Sequence, residues 1–332
     1  MSRQVAIRTI VGVAISIGAA YILLQSVDVA AAIDVLRQAN LAIVALMAVS
    51  VLFDVSSRAA RWQALVRPIA AVRYLRMLGY TFVGYLANNV LPARLGELVR
   101  SHALGEGEGL SRTTVLGTVV VERIVDTVIV VVLAAIAVVV LGVGGVVSTA
   151  VVLGAAFVGV LLVGLVLSVV SHRLPLADRV TALIDRVPRL LDLARRLRDG
   201  LAVVSRPRTV VIAVAYSLVA WSFSIVTFML GGAALGLTIT PMQGALLSSG
   251  VALATIVPSA PGFLGTFELT AVGIATQFGL DPDSAFAMAL LVHAMGLLVT
   301  SVGGAISAAR LGIGLSTGSE QADAGAQPAR GT

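Results

Sequence analysis

The stretch TTVLGTVVVERIVDTVIVVVLAAIAVVVL, residues 113–141, decides the class of fold. It is longer than the roughly 20 mostly apolar residues with which an α-helix crosses a bilayer. The whole chain of 332 residues has a similar character, because 58% of its residues are hydrophobic and only 12% are charged. Soluble domains contain about 45–50% apolar and about 25% charged residues. The sequence therefore predicts an integral membrane protein.

Six segments are long and apolar enough to be full membrane spans. Arginines cluster before the first span, after the second, between the fourth and the fifth, and after the last, whereas the intervening loops carry only Arg37. Because basic loops stay in the cytoplasm, this pattern predicts a multi-pass protein of the plasma (inner) membrane with both termini cytoplasmic. The first span has an alternative interpretation as a cleaved signal peptide. The six spans are Ile7–Leu24, Leu41–Ser57, Thr113–Leu141, Val147–Val170, Thr209–Leu235 and Ser284–Ala309.

Two further apolar stretches, Met77–Gly109 and Met242–Asp283, are each interrupted near the middle by Pro and Gly. The predicted topology requires each to leave the membrane on the side where it entered, which indicates two re-entrant helical hairpins. Broken backbone at membrane depth is tolerated only where protein or a wet cavity satisfies it. Opposite insertion of two similar units is typical of the inverted repeats of secondary transporters. In both breaks a Pro is followed four positions later by a Gly and then by a Glu. These residues are Pro92, Gly96 and Glu97 in the first break, and Pro261, Gly265 and Glu268 in the second.

The predicted fold is therefore an all-α membrane domain over residues 1–311. It has about six full spans plus two re-entrant hairpins in an inverted repeat, or eight spans if the hairpins are counted. The first repeat is expected at about 41–170 and the second at about 209–311. The cytoplasmic linker 171–208 is basic and amphipathic, and it either lies on an anionic leaflet or is a solvated connector. Residues 312–332 are expected to form a disordered tail.

The two breaks are candidate hinges and candidate anion sites. Pro suits the first turn of a helix, so short helices are expected to begin near Pro92 and near Pro261. Their N-termini would point at the middle of the bilayer from opposite sides, where unpaired N–H groups favour an anion such as phosphate. The alternative is that both breaks are ordinary kinks closed by neighbouring helices. The candidate hinge positions are Pro92, Gly96, Pro258, Pro261, Gly262 and Gly265.

Several charged residues fall in or beside apolar stretches, where each unpaired charge costs about 2.5–3.5 kcal/mol. They must be paired, solvated or shallow. Glu122 and Asp126 share a helix face, and Arg123 is expected to point elsewhere. When Arg100 is included, three arginines (Arg94, Arg100 and Arg123) face five carboxylates (Asp54, Glu97, Glu122, Asp126 and Glu268). At least one carboxylate is therefore predicted to be solvated, protonated or matched to a ligand.

Specific partners can be proposed for these groups. Glu97 can reach Arg94 and Arg100, and Asp54 is expected to be a shallow partner of Arg58 or Arg61. Glu268 is expected to pair with His293 or with an arginine of the other half. The functional interpretation is a polar cavity whose arginines bind the phosphate of a lipid headgroup, and the alternative is a structural salt-bridge lattice. The candidate substrate-binding residues are Asn88, Asn89, Arg94, Glu97, Arg100, Glu122, Arg123, Asp126, Glu268 and His293.

Composition excludes several chemistries. The chain contains no cysteine, and all of its 23 basic residues are arginines. Thiolate metal sites, a Walker-type lysine and a pyridoxal-phosphate anchor are therefore excluded. The three histidines, His102, His172 and His293, are scattered, so neither a metal nor a cofactor is predicted. The net charge of +6 resides in loops between apolar runs, which favours anionic lipid headgroups rather than nucleic acid as the partner.

Four motifs in sequence order resemble the lysylphosphatidylglycerol synthase transmembrane family, also called flippase-like domain proteins. The resemblance covers the chain up to about Leu311. Members that make the lipid carry an aminoacyl-transferase domain after the membrane part, so the resemblance implies a stand-alone translocating member without the synthase domain. The motifs are RAARW at residues 58–62, NNVLPARLGELVR at 88–100, VERIVD at 121–126 and PSAPGFLGTFE at 258–268.

The resemblance and the residues together predict a flippase-like transporter that moves a phospholipid or lipid-linked headgroup between leaflets through a polar cavity. Its partners are expected to be membrane lipids, either anionic phospholipid or lipid-linked sugar. One alternative is a membrane-embedded transferase acting on a lipid-linked substrate, with Glu122 and Asp126 as base or metal ligands. Another is a non-transporting accessory subunit of a cell-envelope lipid pathway. The sequence leaves two candidate protein partners, a second copy of the chain and an envelope-lipid enzyme.

Overall fold

The computed structural model describes residues 3–91, 95–145, 147–149, 151–154, 156, 159, 206–255 and 259–313. Within these ranges the chain is helical and contains no strand, which confirms the predicted all-α class. Short 3₁₀ turns lie at Pro261–Phe263 and Thr276–Phe278. The α-helices are α1 (Arg3–Leu24), α2 (Val29–Arg37), α3 (Leu41–Val66), α4 (Tyr74–Val90), α5 (Gly96–Gly107), α6 (Arg112–Leu141), α7 (Pro207–Ala234), α8 (Pro241–Ala254), α9 (Thr266–Ala275) and α10 (Pro282–Leu311).

Four of these helices, α3, α6, α7 and α10, are each long and apolar enough to cross a membrane. A fifth candidate is the bent pair formed by Ile10–Leu24 and α2, which meet at 84°. Most of the predicted span Val147–Val170, the linker and the tail lie outside the described residues. The described helices therefore support a multi-pass architecture, and the full number of spans and the domain boundaries stay predictions.

Helix α3 is longer than the sequence predicted. The prediction ended this span at Ser57, whereas α3 continues to Val66. Arg58 and Arg61, which were assigned to a cytoplasmic loop, are therefore buried helix residues. Between the first two predicted spans lies α2, which begins at an N-cap formed by the Asp28 side chain. Arg58 and Arg61 can lie inside the bundle because Asp54 on α3 pairs with Arg58, and Glu122 and Asp126 on α6 pair with Arg61.

Helices α4 and α5 form one broken pair and α8 and α9 form the other, as the two predicted hairpins require. A short 3₁₀ turn begins at Pro261, as predicted, whereas the start predicted near Pro92 lies outside the described residues. Helix α5 begins at Gly96, whose N–H donates to Asn88 Oδ1 at 2.8 Å. Helix α9 begins at Thr266, after Gly265 with φ of 81°. Side-chain hydrogen bonds from Asn88 and Glu268 therefore support the starts of these two α-helices.

Helix packing repeats itself between the two halves of the chain. Helices α3 and α7 lie antiparallel, because Asn40 N–H donates to Ala234 O at 2.8 Å while Arg61 Nη1 donates to Ser217 Oγ at 2.7 Å. If the first half (α3–α6) is exchanged with the second (α7–α10), the other major helix contacts correspond to one another. The α4–α10 contact corresponds to α8–α6, the α3–α4 contact to α7–α8, and the α5–α6 contact to α9–α10. This is the packing expected of two repeats related by a two-fold axis. Their opposite orientation in the membrane stays a prediction.

Candidate functional site

The two helix breaks line a shared cavity of about 390 Å³ at the centre of the bundle. Every helix from α3 to α10 contributes to its wall. Asn88, Asn89 and Gly96 come from the first break, and Phe263 comes from the second. The breaks approach each other closely, because a Cβ built on Gly262 would lie 3.6 Å from the backbone oxygen of Asn89. The two breaks are therefore far apart in the sequence but form a single site in the structure.

A buried carboxylate, Glu122, organises one wall of the cavity. Its Oε1 atom accepts hydrogen bonds from Arg100 Nη2 at 2.8 Å and Arg123 Nη2 at 2.7 Å. Arg61 Nη2 lies 2.9 Å from the same oxygen. The Glu122 and Arg61 side chains are 1% and 0% exposed, so their charges have almost no contact with solvent. Three guanidinium groups from α3, α5 and α6 therefore converge on one oxygen atom.

Asp126, one helical turn after Glu122, forms the second layer of this wall. It accepts a hydrogen bond from Arg61 Nη1 and lies 3.2 Å from Arg123 Nη2. Trp221 Nε1 on α7 donates to Asp126 Oδ1 at 3.3 Å. Asp126 thereby links α3 and α6 of the first half to α7 of the second half. The prediction that Arg123 points away from Glu122 and Asp126 is wrong, because its side chain folds back onto both carboxylates.

Two further carboxylates complete the cluster at its more open edge. Asp54 pairs with Arg58 at 2.8 Å, as predicted, and Glu97 lies 3.9 Å from Arg123. The full set, which we call the charge cluster, comprises Arg58, Arg61, Arg100, Arg123, Asp54, Glu97, Glu122 and Asp126. It contains four arginines and four carboxylates. The predicted shortage of arginines is therefore wrong, since it omitted Arg58 and Arg61.

Aromatic rings support two of the arginines. The Arg100 guanidinium lies 4.5 Å from the ring centroid of Trp62, and that of Arg58 lies 4.8 Å from the ring of Trp221. A cation over an indole face gains about 0.5–2 kcal/mol, more when it is desolvated. Glu97 was predicted to be within reach of Arg100, but Arg100 donates to Glu122. The rings and carboxylates together fix the orientations of these guanidinium groups.

The most accessible charge in the cluster is Arg123. Its side chain is 39% exposed, and that of Glu97 is 20% exposed. Both residues line the cavity. The deeper members, Arg61 and Glu122, are fully buried and do not line it. A ligand in the cavity would therefore meet Arg123 first, while the buried pairs hold that arginine in place.

The second half supplies a separate pair of titratable residues. His293 Nδ1 lies 2.5 Å from Glu268 Oε1, which agrees with one of the two predicted pairings of Glu268. Glu268 Oε2 also accepts from the N–H of Gly265 at 2.8 Å, and the Phe267 ring stacks on His293 at 4.1 Å. His293 lines the cavity. Glu268 therefore acts at the second break mainly as a helix cap and as the partner of His293.

Both asparagines of the first break have structural partners. Asn88 caps Gly96, and Asn89 Nδ2 donates to Thr300 Oγ1 and Ser301 Oγ, both at 2.9 Å. Asn89 thus ties the first break to α10. Three predicted site residues, Pro92, Arg94 and Pro258, lie outside the described residues.

Sequence reasoning missed Arg58 and Arg61 as members of the cluster, and it missed Trp62 and Trp221 as their supports. One signal was available, because Asp54 and Arg58 have the i, i+4 spacing of a helical ion pair. Among the described residues no group of three or more His, Cys, Asp and Glu side chains could hold a metal ion. Among the described arginines that line the cavity, Arg123 is the most exposed, and the cavity wall around it is both polar and apolar.

Comparison with known proteins agrees with this architecture. The family described as the lysylphosphatidylglycerol synthase TM region matches residues 9–304. A protein named glycosyltransferase AglD from Haloferax volcanii is 27% identical, and the alignment covers 97% of this chain and 57% of that protein. The chain thus spans little more than half the length of this relative. No solved structure matches the chain. This multi-pass membrane protein belongs to the lysylphosphatidylglycerol synthase transmembrane-region family.

Proposed function

We propose that this protein is a flippase-like lipid transporter, in which a phospholipid or lipid-linked headgroup moves between leaflets through the central cavity. The observation that carries the proposal is the position of Arg123. Its side chain is 39% exposed in a cavity that the two broken helix pairs help to line, and three carboxylates lie within 4 Å of its guanidinium. A guanidinium binds phosphate through directed, charge-assisted hydrogen bonds. Phosphate is the group that phospholipids and phosphate-linked lipid sugars share.

The rest of the cavity suits a headgroup with an attached lipid tail. Its volume of about 390 Å³ falls within the range of about 300–1,000 Å³ typical of small-molecule sites. Hydroxyl groups of Tyr85, Thr127 and Ser224 line it beside apolar residues such as Val130 and Leu297. The headgroup would occupy this space while the acyl or prenyl chains stay in the surrounding lipid.

The repeated packing suggests how the cavity alternates. Helices α3 and α7 form the central antiparallel pair, and each broken helix pair packs on the long helix of the other half. Rocking of one repeat against the other would open the cavity to each leaflet in turn. We place the protein in the plasma (inner) membrane with both termini cytoplasmic, on the basis of the arginine-rich loops. Membrane lipids are then its partners, with a second copy or an envelope-lipid enzyme as candidate protein partners.

The transferase alternative is supported by the name of the archaeal relative, a glycosyltransferase. That relative is longer than the region matched here. Glu122 and Asp126 were the candidate bases, but arginines already occupy both carboxylates, and Glu122 is 1% exposed. A base must reach the proton that it abstracts. The geometry therefore favours a structural role for these two residues and a transport role for the cavity.

Transport can be tested with a fluorescent phospholipid and a fluorescent polyprenyl-phosphate sugar in proteoliposomes. We expect leaflet exchange with the wild-type chain and at least about a ten-fold slower rate with Arg123→Ala, since one charged hydrogen bond contributes about 1.5–3 kcal/mol. Arg112→Ala is the matched control, because Arg112 is an exposed arginine paired with Glu106 outside the cavity. Equal exchange by wild type, Arg123→Ala and protein-free liposomes would rule the proposal out.

A further inference from the structure

A second pocket, of about 840 Å³, lies where α3 ends and α7 begins. We call it the basic pocket. It shares no lining residue with the central cavity. Its charged residues are Arg67 and Arg73 after α3, and Arg206 and Arg208 at the start of α7. Among the described lining residues there is no Asp or Glu.

The antiparallel packing of α3 and α7 explains why these four arginines share a pocket. Arg61 on α3 bonds Ser217 on α7, and the chain continues from Arg61 to Arg67 while α7 runs back from Ser217 to Arg208. Six helical residues span about 9 Å. The basic pocket therefore lies beyond the charge cluster, towards the end of the bundle that the arginine-rich loops place in the cytoplasm.

The arginines of the basic pocket differ from those of the charge cluster in their pairing. Each arginine of the charge cluster has at least one carboxylate within 4 Å. None of the four in the basic pocket forms an ion pair within the part of the chain that the structure describes, and all four side chains are exposed. Four like charges around one pocket repel one another. An anion in the pocket would relieve this repulsion.

The remaining wall indicates which kind of anion fits. Ala60, Ala64, Val72 and Ile212 make one side apolar, while Thr209 and Tyr216 add hydroxyl groups. A free phosphate would gain nothing from the apolar side, whereas the glycerol and upper acyl groups of a phospholipid would cover it. Basic pockets between transmembrane helices on the cytoplasmic side suit anionic lipid headgroups.

We infer that the basic pocket is a binding site for the phosphate headgroup of an anionic phospholipid of the cytoplasmic leaflet, distinct from the transport cavity. A lipid bound there would bridge the end of α3 and the start of α7. Because these helices form the central pair between the two halves, the bound lipid would hold that pair together at its cytoplasmic end.

The test uses the full-length chain in phosphatidylcholine nanodiscs titrated with phosphatidylglycerol, with retained lipid counted by native mass spectrometry. We expect Arg73→Ala/Arg208→Ala to weaken phosphatidylglycerol binding about 25-fold, since each arginine near an anionic surface contributes roughly a factor of five. Arg310→Ala is the matched control, because Arg310 is an exposed arginine on the same predicted side but outside the pocket. Arg73→Lys/Arg208→Lys keeps the charge and should retain most of the binding, which guards against a folding defect.

A photoactivatable phosphatidylglycerol should label peptides within 60–73 and 206–216, and the double alanine variant should lose this label. Equal binding by Arg73→Ala/Arg208→Ala and Arg310→Ala would overturn the inference. Inorganic phosphate is a separate arm of the experiment. If phosphate alone displaces the label at millimolar concentration and phosphatidylglycerol binds no better than phosphatidylcholine, the site takes a soluble anion and the lipid assignment is wrong. Transport measured in parallel is independent, because Arg123 does not line this pocket.

Discussion

Arg61 Nη2 lies 2.9 Å from Glu122 Oε1, and neither side chain has appreciable contact with solvent. The pair joins α3 to α6 within the first half, and Arg61 also bonds Ser217 on α7. Removing two ions from water is costly, and their attraction offsets that cost only when the remaining donors and acceptors are also paired. Glu122 meets this condition only at Oε1, which faces three arginines, because among the described residues its Oε2 atom and Arg61 Nε have no hydrogen-bond partner. The pair therefore forms the centre of the frame that positions Arg123 at the cavity.

Replacing Glu122 tests this frame directly. Glu122→Gln removes the charge that Arg61, Arg100 and Arg123 share, and it leaves the buried guanidinium groups of Arg61 and Arg100 short of a counter-ion. We expect a loss of about 3–5 kcal/mol of stability, the typical cost of breaking a buried ion pair. Thermal unfolding of the purified protein in detergent, followed by tryptophan fluorescence, measures the change.

Glu106→Gln is the control, because Glu106 is an exposed carboxylate that pairs with the exposed Arg112. Exposed pairs contribute about 0–1 kcal/mol, so this variant should unfold near the wild-type temperature. If Glu122→Gln and Glu106→Gln were equally stable, the buried cluster would not organise the fold.

The charge cluster also shows what the sequence could not predict. The apolar character of α6 predicts its span, and the spacing of Glu122 and Asp126 predicts their shared face. Hydropathy ended α3 at Ser57 because an arginine beside an apolar run usually marks the membrane boundary. Arg61 stays inside the bundle because its partners, Glu122 and Asp126, lie on another helix far along the chain. No local window contains that pairing.

The helix starts at the two breaks illustrate a second limit. The proline rule located the second break, where Pro261 begins a 3₁₀ turn, but the α-helix α9 starts only at Thr266. The start of α5 depends on Asn88, whose side chain reaches across the break to the N–H of Gly96. A side-chain cap eight positions away is a three-dimensional feature. The local signal is reliable for the existence of the break and unreliable for its geometry.

Gly96 is required by close packing at the first break. A Cβ at this position would lie 2.0 Å from the backbone oxygen of Gly84, which cannot move aside as a flexible side chain can. We expect Gly96→Ala to destabilise the protein by about 1–3 kcal/mol, the usual cost of overpacking. Hydrogen–deuterium exchange should increase at the start of α5, because the first turn must shift.

Gly273→Ala is the matched control, since a Cβ at Gly273 in α9 meets no atom within 4 Å. Alanine is favoured over glycine in a helix by up to about 1 kcal/mol. This variant should therefore be as stable as the wild type or slightly more stable. A Gly96→Ala protein with unchanged exchange at residues 96–100 would show that the close approach of α4 and α5 is not present in solution.

Glu268 combines two roles that two substitutions can separate. Its carboxylate caps the N–H of Gly265 and bonds His293. Glu268→Gln keeps an acceptor for Gly265, because glutamine also serves at this position of a capping box. Glu268→Ala removes both bonds and leaves buried polar groups without partners, which costs about 1–3 kcal/mol.

We therefore expect Glu268→Ala to unfold at a clearly lower temperature than Glu268→Gln in the same detergent. If Glu268 also carries protons during transport, Glu268→Gln should transport lipid without any response to an imposed pH gradient, although it remains folded. A Glu268→Gln protein as unstable as Glu268→Ala would indicate that the charge on Glu268, and not the cap, holds the second break.

Helix α1 packs against the second break, which bears on whether the first span is retained. Ser16 Oγ accepts a hydrogen bond from the N–H of Ala260 at 2.8 Å, and a Cβ on Gly12 would lie 2.7 Å from Ser259 O. Removal of α1 would expose this N–H and the small-residue contact beside it. We therefore expect α1 to stay attached as part of the folded domain, and intact mass spectrometry of protein purified from membranes should include residues 1–24.

Gly12→Leu should destabilise the protein, whereas Gly18→Leu should not, because a Cβ on Gly18 meets no atom within 4 Å. A mature protein that began near Ala30, with full thermal stability, would show that α1 is a cleaved leader.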